Sequence, residues 1–132
     1  MTRAILDTSV VIASGDDPAV LLALPAESAI SVATLAELHF GVGLGKTPAI
    51  RADRLRRLGA IEAAYDPLPI DADVARAYAT VALAVVAVGR KPRARVMDLW
   101  IAATALVHGV AVLTCNPMDF AGLEKLVRIT AV

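Results

Sequence analysis

Asp7 closes the apolar run Ala4-Ile5-Leu6, and Thr8 and Ser9 follow it directly. Glu37 comes three residues after Thr34, and Asp98 heads a stretch, 99–107, that holds no other charge. Asn116 and Asp119 come just after the apolar segment 110–114. Singly, the acids have ordinary structural roles. Asp7, Asp98 and Asp119 suit helix N-caps, and Thr34 with Glu37 fits a capping box. Brought together, four carboxylates need a counter-charge. Two unit charges about 4 Å apart at an effective dielectric of 20 repel by roughly 4 kcal/mol. The donors are oxygens, and His39, His108 and Cys115 have no metal-ligand spacing, so the set favours a hard ion, Mg2+ or Mn2+. Such an ion in an open acidic pocket suits phosphate chemistry.

The surrounding pattern predicts how these side chains are positioned. Short apolar runs at 4–6, 29–32, 110–114 and 126–129 read as strands, with 68–70 as an edge strand because Pro69 is unwelcome in a central one. Helices are expected from about Val10, from Pro18 after Asp17, from Thr34, from Pro48 after Thr47 to about Ala64, and from Asp71 to Val88. The segment 98–108 is apolar on every side, which marks a buried helix ending at Gly109. A last short helix starts near Asp119. Strands alternating with helices imply a parallel sheet covered on both faces, with ligands beyond the carboxyl ends of its strands. That rule gathers Asp7, Glu37, Asp98, Asn116 and Asp119 at one edge.

Composition narrows the class. The 132 residues fit one domain, and a hydrophobic fraction of 58% with only 4% aromatics means a core of Ala, Val, Leu and Ile. So apolar a chain is short of polar surface, which points to a partner or an oligomer. One cysteine excludes an internal disulfide and fits a reducing compartment. No secretory signal is visible, and the longest nearly apolar run, 77–88, is short of the roughly 20 residues that cross a bilayer. A cytoplasmic chain without a membrane role is expected.

Asp7-Thr8-Ser9, Thr34-Leu35-Ala36-Glu37-Leu38-His39-Phe40-Gly41, Asp98-Leu99-Trp100-Ile101-Ala102-Ala103-Thr104-Ala105 and Thr114-Cys115-Asn116-Pro117-Met118-Asp119-Phe120 carry a resemblance. Together they resemble the PIN-domain ribonucleases, and more narrowly the VapC toxins of type II toxin–antitoxin systems. The third motif is the most specific, and the likeness runs through nearly the whole chain in order. It implies a PIN-like α/β/α sandwich over residues 1–132, with a central parallel sheet of about four to five strands. It also implies Mg2+-dependent endoribonuclease cleavage of structured RNA, tRNA or rRNA, leaving a 5′ phosphate and a 3′ hydroxyl. A VapB-type antitoxin and a homodimer are the implied partners. Carried over by motif, Asp7 and Asp98 are the principal metal ligands, and Glu37 and Asp119 complete the quartet. Asn116 and the hydroxyls of Thr8 or Ser9 assist. Asn116-Pro117 departs from the usual family sequence, which leaves open how Asn116 and Asp119 share the fourth role.

The neutral total of 13 basic and 13 acidic residues hides a separation. With four acids committed to metal, 13 basic face nine acidic residues, a net of +4. Arg90, Lys91, Arg93 and Arg95, just upstream of Asp98, form the expected RNA footprint, through phosphate contacts. Arg51, Arg54 and Arg57 read as a solvated helix face, and Trp100 as core. Two rival readings are an aspartate-dependent phosphohydrolase and a catalytically degenerate domain that only binds an antitoxin. The first lacks the second acid two residues after Asp7. The intact acids argue against the second.

Overall fold

The computed structural model describes residues 3–132. Four strands form one sheet: β1 (Arg3–Leu6), β2 (Glu27–Ala29), β3 (Ala111–Thr114) and β4 (Ile129–Ala131), in the order β2-β1-β3-β4. All three pairings are parallel. β1 and β3 are central, so every residue from Ala4 to Leu6 and from Ala111 to Thr114 is buried. Continuous burial is what a strand covered on both faces requires.

Alternate side chains serve the two faces. Ala4 and Leu6 of β1 pack with Val10, Val11, Ile30 and Leu113, beneath α1 (Thr8–Asp16), α2 (Pro18–Ala23) and α4 (Pro48–Ala64). Ile5 and Val112 pack on the other side with α5 (Ala72–Ala87) and α6 (Val96–His108). α6 is the most buried helix: Leu99 and Ile101 to Ala105 are all sequestered. Trp100, expected in the core, is half-buried and lies on Tyr78 of α5, ring centroids 4.2 Å apart. Gly109 ends α6 at φ 65°, a left-handed cap that favours glycine.

Local chemistry sets the helix starts. Asp17, Thr47 and Asp71 accept from the amides of Ala19, Ile50 and Val74, and Pro18 and Pro48 occupy first-turn positions that need no N–H. Several boundaries differ from expectation. Ser31, not Thr34, caps α3 (Val32–Gly43), accepting from Ala33 N, so β2 ends earlier than 29–32 predicts. Leu68 makes a single bridge to Ser31 in place of an edge strand, because the segment it pairs with turns into α3 at Val32. β4 starts at Ile129 rather than 126, since turns closing on Leu123 carry Leu126 and draw Val127 into the core. On α4 only Leu58 is buried and Leu55 is exposed. Its arginines are tied down: Arg51 and Arg54 donate to the carbonyls of Gly45 and Gly41, and Arg57 pairs with Asp16 and Asp53.

Candidate active site at the carboxyl edge of the sheet

Asp7 follows the last residue of β1 and caps α1, accepting from Thr8 N at 2.9 Å. Its other oxygen accepts from the hydroxyls of Ser9 at 2.8 Å and Thr114 at 2.9 Å. The carboxylate is 4% exposed, and these three donors satisfy it without any cationic side chain. The same hydroxyls brace the next loop. Cys115 N donates to Ser9 Oγ and Asn116 N to Thr114 Oγ1.

Glu37 projects from α3 toward Thr8, whose hydroxyl donates to Oε1 at 2.7 Å. Thr34 Oγ1 stands 3.0 Å from Thr8 Oγ1. Since a hydroxyl has one proton and Thr8 gives its own to Glu37, Thr34 donates to Thr8. Burial raises the Glu37 carboxyl above the usual range; the Thr8 bond opposes that rise and the Asp7 charge adds to it.

Asp98 is the third residue of α6, not its cap, because the 3-10 turn Pro92–Arg95 runs straight into Val96. Its carboxyl is pushed up to about 7, first by burial, then by the charges of Asp7, Asp119 and Glu37, with Arg95 opposing. Charges carried by three other segments therefore act on Asp98. Asp119, on the 3-10 turn Pro117–Phe120, holds Arg95 at 2.8 Å. Asn116 is exposed and contributes through its backbone, its carbonyl accepting from Asp119 N.

The four basic residues divide. Arg90 donates to Met118 O at 2.9 Å, Lys91 and Arg93 are exposed, and Arg95 turns inward to the acids. His39 pairs with Glu62, and Cys115 is a free thiol. Thr34 and Thr114 were not expected to take part. The only signal for Thr114 is a hydroxyl at the end of an apolar strand, beside the end of β1. Among the described residues no group of three or more His, Cys, Asp or Glu side chains is arranged, as it stands, to hold a metal ion. The donor chemistry nevertheless fits a hard cation: the groups are oxygens, and the mutual repulsion that raises Asp98 is what a cation relieves.

Residues 4–126 match the PIN domain family. Over 121 residues the chain is 42% identical to ribonuclease VapC5 of Mycobacterium tuberculosis, covering 91% of this chain and 87% of that one. The chain belongs to the PIN-domain VapC ribonucleases. This PIN domain is also 38% identical over 133 residues to ribonuclease VapC4 of the same organism, covering 97% and 96% of the two chains. The crystal structure of VapBC-5, a member of the VapBC family of toxin–antitoxin systems from M. tuberculosis, superposes with a TM-score of 0.84. That match is 40% identical and spans all of both chains.

Proposed function

We propose that this chain is the toxin of a toxin–antitoxin pair and a divalent-metal-dependent endoribonuclease that cuts structured RNA, tRNA or rRNA. The observation that carries the reading is the match of residues 4–126 to the PIN domain, with 42% identity to ribonuclease VapC5 and with Asp7, Glu37 and Asp119 all acting on the Asp98 carboxyl. Asp7, Asp98, Glu37 and Asp119 would hold Mg2+, or Mn2+ in its place. When bound, the ion supplies charge neutralisation at the phosphate and activation of water.

The protein's own groups prepare the site. Three donors fix both oxygens of Asp7. The Thr34–Thr8 relay orients Glu37 Oε1, and Ser9 and Thr114 join the β1 end to the loop that carries Asn116 and Asp119. Lys91 and Arg93 stand free to take RNA phosphates and position the strand. A VapB-type antitoxin and a second copy of the chain are the proposed protein partners. The exposed Leu22, Phe40, Leu44, Leu83 and Met118 leave them apolar surface. Among the described residues no helix is long and apolar enough to cross a membrane, and the cytoplasm is the proposed site of action.

The test is cleavage of purified tRNA and rRNA by the full chain. Cleavage should require Mg2+ or Mn2+, stop with EDTA, and vanish in Asp98→Asn while circular dichroism stays native. Cleavage that survives EDTA, or an active Asp98→Asn variant, would overturn the assignment.

A further inference from the structure

We infer that Arg95 is a built-in counter-ion of the acidic pocket, one that a divalent ion must displace from Asp119 and Asp98 and that is thereby freed for phosphate. The inference rests on the metal-pocket reading above. Arg95 Nη1 lies 2.8 Å from Asp119 Oδ1 and 4.0 Å from Asp98 Oδ2. About two thirds of each of the Arg95 and Asp119 side chains is covered, with exposures of 33% and 31%.

The backbone holds it there. Arg95 ends the 3-10 turn Pro92–Arg95, three residues before Asp98. The preceding residues are anchored as well: Arg90 N donates to Val85 O, Arg90 Nη1 to Met118 O, and Ala94 N to Lys91 O. Of the four neighbouring cations only Arg95 reaches the acids; Lys91 and Arg93 are exposed. In the sequence Arg95 is one of four basic residues in a run of six. In the fold it is committed to carboxylates.

The chemistry makes the two cations exclusive. A guanidinium cannot shed its proton in a protein, so it cannot neutralise itself to remain beside a divalent ion. A metal that takes Asp119 Oδ1 removes the acceptor Arg95 uses. Once released, the guanidinium is still tethered at the pocket rim, where its fork of donors matches a phosphate. Metal loading and the appearance of a phosphate-binding arginine are then one event, and binding linkage makes the effect reciprocal.

The test is Mn2+ binding to the full chain by titration calorimetry at fixed ionic strength, for wild type, Arg95→Gln, Arg95→Lys and Asp98→Asn. Arg95→Gln should bind Mn2+ roughly threefold to tenfold tighter, in keeping with a partly covered ion pair. It should also melt below wild type in EDTA, a gap that saturating Mn2+ closes. Arg95→Lys, which keeps the charge but loses the fork, should fall between and carries the comparison if Arg95→Gln does not fold in EDTA. Wild-type or weaker Mn2+ affinity in Arg95→Gln, or in Arg95→Lys where that variant stands in, overturns the inference while the pocket stands. Mn2+ binding that Asp98→Asn leaves unchanged places the metal elsewhere and overturns both.

Discussion

The Thr114 hydroxyl donates to Oδ2 of Asp7 at 2.9 Å, joining the carboxyl ends of the two central strands. Asp7 N also donates to Leu113 O, so the pair continues the β1–β3 register by one step. Both residues are buried. Thr114→Val keeps the shape and removes the donor. Urea unfolding should show a loss of about 1–3 kcal/mol, the cost of an unsatisfied buried acceptor. RNA cleavage should fall with it, and Thr114→Ser should restore most of both. A Thr114→Val protein as stable as wild type would mean that Ser9 and Thr8 N suffice for Asp7.

Without metal, stability should fall as pH rises through the site's titration. The folded Asp98 carboxyl is raised to about 7, and Glu37 is raised in the same direction. The folded chain thus binds more protons than the unfolded chain between the ordinary carboxylate range near 4 and about 7. The associated stability is full below that window and gone above it. In EDTA the melting temperature should drop across it by several degrees, and Asp98→Asn should flatten the slope. Added Mn2+ should raise the melting temperature most at the alkaline end. A profile that Asp98→Asn does not alter would mean that another group sets the slope.

Lys91 and Arg93 are exposed in the segment just before α6, free to meet phosphate. Replacing both with alanine should raise KM for RNA and leave kcat nearly unchanged. Each lost contact should also lower the salt slope of binding, by about 0.7 to 0.9 per phosphate. Filter binding across a salt series measures this. An unchanged slope would move the RNA path elsewhere.

Gly122 sits at φ 94°, just past the turn that carries Asp119, and a Cβ there would lie 2.7 Å from Val88 Cγ2. Gly122→Ala combines left-handed strain with that overlap against a stiff, β-branched side chain. It should cost about 1–3 kcal/mol in chemical denaturation. A neutral result would show that the 120–123 turn accommodates a side chain by moving off α5.

Much of the site was legible because its acids interrupt apolar runs. Asp7 stops a strand, Asp98 precedes an uncharged helix, and Asp119 follows a buried strand. The arrangement of parallel strands and covering helices followed from the same alternation. What could not be read depended on distant residues. Ser31 and Thr34 are both capping types one turn apart, and the end of β2 decides that Ser31 caps while Thr34 turns its hydroxyl toward Thr8. The basic stretch before Asp98 looked like uniform solvent-facing charge. Its last member points inward because Asp119, 24 residues later in sequence, arrives beside it only in the folded chain.

Trp100 is the only tryptophan in the chain. It stands two positions beyond Asp98 on α6 and lies tilted at 35° over Tyr78. Tryptophan emission therefore comes from one residue, placed where α5 meets α6. Changes at the α5–α6 seam can be followed optically, in real time and without a label, in the unmodified protein.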